Sequence, residues 1–158
     1  MGSKLDGYNG VAIQQTIVPA TISGNGDNTE GAAVARTNYN GILHTLSVGA
    51  AGDTWSGSLY TDVILQHGLL ADSSDMAAVT DSADFIGTME TQTSGIVKVL
   101  DAAADGSQVY KIAYRGVKPY SRLHLDRTGN HATGTPMSAS AVKTNPRFQG
   151  ATDVLPTA

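Results

Sequence analysis

The chain has 158 residues, a formal net charge of −4, and 15% charged residues where a quarter is more usual. This length fits one domain, and the scattered lysines and arginines exclude the basic patch that nucleic-acid binding requires. The lack of cysteine excludes disulfides and thiolate metal sites, and no apolar run approaches the roughly 18 residues of a membrane span.

The first forty residues predict an extended N-terminal arm that includes one edge strand. Residues 10–22, GVAIQQTIVPATI, are rich in β-branched side chains but contain Pro19, which cannot donate to a sheet ladder. Residues 23–31, SGNGDNTEG, form a loop by composition, and a flexible loop is favoured there over a calcium site. An arm of this kind can reach a neighbouring chain. The candidate protein-contact residues in it are Val11, Ile13, Ile17 and Val18.

Residues 41–143 alternate apolar and polar side chains, as half-buried strands do. The strand within 41–57 places His44 and Leu46 on one face, and the strand within 58–68 does the same for Val63 and Leu65. Residues 71–87 predict one short helical turn capped by Ser or Asp, and Asp105–Gly106 is a turn before the next strand. Residues 144–158 are predicted to form an exposed C-terminal tail.

The stretch YKIAYRGVKPYSRLHLDRTG, residues 110–129, predicts a β-hairpin. A four-residue connection from Gly116 to Pro119 places Ile112 opposite Leu123 and Tyr110 opposite Leu125 on an apolar face. The opposite face then becomes a solvated, weakly ion-paired set. Its members are Lys111, Arg122, His124 and Asp126.

About seven or eight short strands, with turn residues between them and no internal repeat, predict an all-β fold. The expected architecture is a single-domain antiparallel β-sandwich, jelly-roll-like, with extended terminal arms. Its parts are an arm and edge strand over 1–40, the sandwich over 41–143, and a tail over 144–158.

No motif for chemistry stands out in the sequence. The four histidines, at positions 44, 67, 124 and 131, lie in separate segments, which favours satisfied or exposed side chains over a metal site. The aspartates at positions 72, 75, 81 and 84 are interleaved with Ser and Ala, which favours caps and turns over a catalytic carboxylate pair. The sequence therefore predicts no enzyme, no cofactor and no metal.

Residues 45–147 resemble a family of small structural proteins encoded among the head genes of tailed bacteriophages and phage-like particles. The family pattern runs Y-x-V-x-Y-x-G-x-x-R-Y-x-R and then T-G-x-H-x-x-G-T-P. The positions that keep this pattern are Tyr110, Tyr114, Gly116, Tyr120, Arg122, Thr128, Gly129, His131, Gly134, Thr135 and Pro136.

Two loops depart from that family pattern. The loop HGLLADSSD, residues 67–75, is longer and more apolar than its counterpart, and Val117-Lys118-Pro119 replaces a Gly-Lys-Arg segment. Because the loop tip has changed while the strands have not, the tip is the place to expect a contact with a neighbour. Its candidate protein-contact residues are Arg115, Val117, Lys118 and Tyr120.

The resemblance implies a virion structural protein, a capsid decoration or cement (minor head) protein on the capsid exterior, made in the host cytoplasm. Its implied partners are the major capsid protein and copies of itself, a trimer being favoured, with no nucleic acid and no membrane. One alternative is a neck, tail or head-completion component. Another, of a different class, is a carbohydrate-binding β-sandwich module, which requires an exposed aromatic platform near Trp55 or Tyr39.

Overall fold

A computed structural model of the chain describes residues 11–146. Residues 1–10 and 147–158 lie outside the described residues, and with them the first quarter of the predicted arm and most of the predicted tail. The described part contains eleven β-strands, three single turns of 3-10 helix and no α-helix. The strands are β1 (Ala12–Asn25), β2 (Thr29–Glu30), β3 (Val34–Ala35), β4 (Tyr39–Val48), β5 (Tyr60–Gly68), β6 (Ala77–Ala78), β7 (Phe85–Ile86), β8 (Ile96–Leu100), β9 (Gln108–Tyr114), β10 (Tyr120–Thr128) and β11 (Asn130–Pro146).

Two antiparallel sheets pack face to face, which confirms the predicted all-β sandwich. Sheet I has the strand order β1-β11-β4-β9-β7. In sheet II the central strands β10 and β5 pair with each other; β2 and β3 flank β10, and β6 and β8 flank β5. The predicted helical turn within 71–87 is a 3-10 turn at Ser82–Asp84, where the Asp81 carboxylate accepts a hydrogen bond from the Ala83 N–H.

The strands of the first forty residues belong to this sandwich. Strand β1 pairs with β11 alone, so it is the edge strand that the sequence predicts. Strands β2 and β3 pair with β10 in the other sheet. Strand β11 continues to Pro146, three residues past the predicted end of the sandwich at 143.

The core lies between the sheets and is filled by alternate residues of each long strand. In β4 the side chains of Ile42, His44, Leu46 and Val48 are buried, while Leu43, Thr45 and Ser47 between them are half-buried or exposed. Strand β10 contributes Leu123 and Leu125, both fully buried, from the opposite sheet. This burial of every second residue is what the period of a strand dictates when one face meets a core.

The predicted hairpin of residues 110–128 is wrong. Strand β9 pairs with β4 and β7 in sheet I, whereas β10 pairs with β5, β2 and β3 in sheet II. Ile112 and Leu123 both face the core, as their alternation predicts, but they face it from opposite layers. The expected solvated face is wrong as well, because Arg122 and His124 are buried within sheet II.

Two connections carry the chain between the sheets at the same end of the sandwich. Residues 36–38 lead from β3 in sheet II to β4 in sheet I, and residues 115–119 lead from β9 back to β10. They run side by side because their flanking strands are paired: Ala35 with Tyr120, and Ile42 with Tyr114. We call these two connections the crossing corner.

The corrected pairing places two aspartates opposite each other, Asp126 on β10 and Asp62 on β5. Burial, followed by the charges of Asp126 and Glu90, raises the pKa of Asp62. Like charges directly opposite each other destabilise an antiparallel pair. We therefore expect Asp126→Lys to raise the free energy of unfolding at pH 7 by about 0.5 to 1 kcal/mol in urea titrations.

The neutral variant Asp126→Asn is the matched control and should give a smaller gain. Since a raised pKa means that ionisation of Asp62 costs stability, this gain should vanish as the pH falls below the usual aspartate range and Asp62 protonates. A lysine at position 126 of a 110–128 hairpin would instead lie beside Lys111. A loss of stability in Asp126→Lys would contradict the two-sheet arrangement.

Candidate protein-contact site

Four of the eight predicted contact residues lie in strand β1 or directly before it, and their side chains differ in exposure. The side chains of Ile13 and Val18 are 65% and 70% exposed. Ile17 is buried in the core, and Val11, just before the strand, is half-buried. The two exposed side chains are therefore the ones available to a neighbour.

The free edge of β1 is irregular. The register with β11 shifts between Gln15 and Ile17 and again between Ile17 and Ala20, and Pro19 lies in the second interval. Bulges and a proline on an edge strand limit its pairing with a passing strand. An extended segment could add to β1 only on either side of this irregular stretch, which restricts the register that a partner can take.

A groove of about 750 Å³ runs along β1 between the two sheets. One wall is β1 itself from Thr16 to Ser23, and the other wall is the segment 29–32. The Ala32 N–H donates to the Thr16 carbonyl at 2.8 Å, and the Gly31 N–H donates to the Leu123 carbonyl at 2.8 Å. Segment 31–32 thus bridges sheets I and II, and the groove lies where the sandwich is otherwise open.

Two buried arginines line the groove, and their partners differ. Arg122 forms a bidentate pair with Glu30, at 2.9 and 3.0 Å, and donates from Nε to the Gln66 Oε1 at 2.7 Å. Arg127 donates to the carbonyls of Ser23 and Asp27, and no carboxylate of residues 11–146 forms an ion pair with it. Within the described chain, the hydrogen-bond acceptors of the Arg127 side chain are thus backbone carbonyls.

The crossing corner holds the other predicted contact residues, and most of them are engaged within the chain. The Arg115 N–H donates to the Asp84 carbonyl at 2.9 Å, and its Nε donates to the Ala83 carbonyl at 2.7 Å. Tyr120 is half-buried and paired between Ala35 and Gly68. Arg115 is exposed as well, but Val117, 84% exposed, is the one of these contact residues with a large apolar side chain projecting from the corner.

Lys118 belongs to the same corner and serves it through its backbone. Its carbonyl accepts a hydrogen bond from the Tyr114 hydroxyl at 3.1 Å, while its side chain is half-buried. Gly116 is required there because a Cβ would lie 2.6 Å from both the Asp84 Cγ and the Tyr114 hydroxyl. The edge strand and the crossing corner do not form one surface, because β11 and β4 separate β1 from β9.

The one compact titratable cluster near the corner is His67, Tyr114 and Asp84. His67 Nδ1 lies 3.2 Å from the Tyr114 hydroxyl and 3.5 Å from the Asp84 carboxylate. Burial lowers the pKa of His67 and raises the pKa of Tyr114 to about 12. At neutral pH these shifts keep both rings uncharged, which suits a role in joining β5 of sheet II to β9 of sheet I.

The contacts of the aspartates and the burial of two aromatic residues bear on other predictions. Asp72, Asp75 and Asp81 accept hydrogen bonds from nearby backbone N–H groups, so the expectation of caps and turns is confirmed for these three. Trp55 and Tyr39 are 6% and 2% exposed, so neither offers a ring for stacking on a sugar. Across residues 11–146 no group of three or more potential ligands is placed to hold a metal ion. Nor does any helix in that range have the length and apolarity to cross a bilayer.

Sequence reasoning missed the residues that shape the groove, above all Glu30, Arg122 and Arg127. Their partners lie about a hundred positions away, since Arg122 binds Glu30 and Arg127 binds the carbonyl of Asp27. An arginine in a strand carries no local mark of a distant carboxylate. Arg36 of the crossing corner was also missed, because its guanidinium donates to the carbonyls of Arg115 and Val117, which are equally distant in sequence.

Compared with known proteins, the chain matches no protein-family model, and no curated protein is significantly similar to it.

His44 is a buried histidine whose titration should be visible in stability. Its Nε2 lies 2.8 Å from the Ser121 hydroxyl across the two sheets, its Nδ1 has no hydrogen-bond partner, and burial lowers its pKa to about 4. Between pH 6.5 and 4 the unfolded chain binds a proton at this site that the folded chain does not. Over that window we expect His44 to remove up to about 3 kcal/mol of unfolding free energy.

Urea unfolding at several pH values checks this expectation. In His44→Leu the loss of stability on acidification should be smaller than in the wild type, whatever its stability at pH 7. Ser121→Ala is the matched control, because it removes the same hydrogen bond but keeps the titrating ring. Parallel pH profiles for His44→Leu and the wild type would contradict the assignment.

Proposed function

We propose that this chain is a structural protein of a bacteriophage-type virion, a decoration or cement protein that binds the outside of the assembled capsid. The observation that carries the proposal is the edge strand β1, with exposed Val18, lying along an open groove of about 750 Å³. The resemblance of residues 45–147 to phage head proteins supports the same role. The fold itself is compatible with many functions, so the proposal depends on the surface formed by β1 and the groove.

The contact would be an extended segment of the major capsid protein laid along β1. Strand addition supplies main-chain hydrogen bonds, and alternate side chains of the added segment enter the groove and give specificity. Because Arg127 has only carbonyl partners within residues 11–146, an acidic side chain in the added segment would gain a charge-assisted hydrogen bond. The partner segment is thus expected to be extended, largely apolar and acidic at one position.

A neck, tail or head-completion role would use the same groove at another place in the particle. Copy number separates these roles, because a decoration protein is needed over the whole shell and a neck component only at one vertex. Quantifying the chain against the major capsid protein in purified particles makes the distinction. Hundreds of copies of the chain per particle support decoration, and about a dozen copies per particle would reassign the chain to the neck.

Val18→Asp tests the groove directly. A carboxylate at this exposed position should leave the fold intact but place an unpaired charge in the contact, so occupancy on purified particles should require at least about tenfold more protein. A point change is sharper than deletion of residues 1–22, because that deletion would remove most of β1 and leave one edge of β11 unpaired. Circular dichroism and thermal unfolding confirm that the variant is folded.

Val117→Asp is the matched control, since it adds the same charge at another exposed valine, on the crossing corner. Its occupancy should equal that of the wild type. Loss of binding in Val117→Asp with normal binding in Val18→Asp would move the contact from the groove to the corner. Normal binding of both variants would leave the groove without a role in attachment.

A further inference from the structure

One row of apolar side chains crosses the whole outer face of sheet I. Each member lies directly opposite the next in the strand register, and every strand of the sheet contributes one residue. In order across the sheet the residues are Ile13, Val142, Leu43, Ala113 and Ile86. The end members are 65% and 56% exposed, and the three between them are half-buried by their neighbours in the sheet. We call this set the apolar row.

The rows beside the apolar row carry few charges. On one side lie Thr144, Gly41 and Arg115. On the other side the next row is Gln15, Ser140, Thr45 and Lys111, and the one beyond it includes Ser138, Ser47 and Val109, the last 65% exposed. Arg115 and Lys111 are the charged side chains among the residues of these rows. An outer sheet face that meets only water usually alternates to polar and charged residues. A contiguous apolar feature with a polar, mostly uncharged surround is typical of an interaction surface.

The size of this face fits a stable contact. Strands β11, β4 and β9 contribute to four rows of this face, β1 to two and β7 to one. At about 4.8 Å between strands and roughly 7 Å between rows, these residues cover about 500 Å² of flat area on one chain. Two such faces together remove about 1,000 Å² from water, which is about the minimum for a specific protein interface. Aligned packing of two sheets, at a separation of about 10 Å, is the usual way for β-sheets to bury their faces against each other.

We propose that this face binds a second copy of the same chain across a two-fold axis that runs nearly parallel to β4 and passes over Leu43. The apolar row is symmetric in kind about Leu43, with isoleucine at both ends. This axis therefore places Ile13 against Ile86 of the second copy and Leu43 against its own equivalent. A surface that fits its own copy in this way is the condition for an isologous dimer.

The charges select this axis over the other in-plane choice. With the axis parallel to β4, Lys111 of one copy faces Ser140 of the other, because β9 and β11 lie one strand to either side of β4. An axis along the apolar row would instead bring Lys111 towards Arg115 of the second copy, and like charges facing each other suppress that arrangement. Lys111 and Arg115 together thus determine the orientation.

A recess gives the interface shape as well as area. A depression of about 220 Å³ lies over Gly41, bordered by Leu43, Ile86 and Ala113. It opens because Gly41 has no side chain and the nearest atoms to a Cβ placed there would be more than 3.5 Å away. It lies in the half of the apolar row that faces Ile13 and Val142 of the second copy, so a side chain from that copy can enter it.

Sedimentation equilibrium of the purified full chain tests the proposal without reference to any capsid. The wild type is expected to be a dimer at micromolar concentration, and Leu43→Lys should raise the dimer dissociation constant at least a hundredfold. Val117→Lys, which adds the same charge off this face, should leave the dimer intact. A monomeric wild type, a trimer, or a dimer unaffected by Leu43→Lys would each overturn the proposal.

Cross-linking covers the case in which Leu43→Lys fails to fold. The chain has no cysteine, so Leu43→Cys introduces a single thiol at the two-fold axis. A short bis-maleimide should then join two copies rapidly at low protein concentration, whereas Val117→Cys should remain uncoupled. Equal coupling of both variants, or none for Leu43→Cys, would overturn the face-to-face dimer. Because these measurements use free protein, they are independent of whether the groove binds a capsid.

Discussion

The structure depends on Arg36, which holds the crossing corner together. Its guanidinium donates to the carbonyls of Arg115 and Val117, at 3.2 and 3.4 Å, and its backbone N–H donates to the Pro119 carbonyl at 2.7 Å. These bonds fasten the 36–38 connection to the 115–119 connection, where both change sheets. On one side of the joined connections β4 and β9 pair in sheet I, and on the other side β3 and β10 pair in sheet II.

The same arrangement explains why the groove and the outer face of sheet I are both accessible. The end of the sandwich at the crossing corner is closed by backbone, while the side between β1 and segment 29–32 is open as a groove with backbone hydrogen bonds at residues 31–32. Buried pairs such as Arg122 with Glu30 fix the second wall of the groove. The two surfaces lie on different sides of β1, so a chain can offer its groove to one partner and its sheet face to another.

Alternation in the sequence was sufficient to predict the sandwich and the inward faces of its strands. Ile42, Leu46, Ile112 and Leu123 all point to the core as their two-residue period requires. Alternation does not predict which strand pairs with which, however. Two neighbouring amphipathic strands with a short polar connection satisfy a hairpin and a crossing between layers equally well, and here the bonds from Arg36 and Tyr114 favour the crossing.

The candidate site was predictable in part for the same reason. The β-branched residues and Pro19 of β1 are local signals of an edge strand, but they did not separate exposed Ile13 and Val18 from buried Ile17, because the register shifts in β1 break its alternation. The groove required knowledge that residues 29–32 and the arginines of β10 meet β1, and these contacts join distant parts of the chain. The apolar row is likewise invisible in sequence, because its five members become neighbours only through the strand register.

The pairing of β1 with β11 has a consequence for how the protein is made. Ala12 lies opposite Lys143, so β1 cannot pair within sheet I until β11 has left the ribosome. During synthesis, β1 and β4 both lack the neighbour that separates them in the finished sheet, since β11 lies between them. Such non-local pairing slows folding and leaves strand edges exposed in the meantime. A nascent chain therefore cannot display a complete groove or a complete apolar row until β11 has been synthesised.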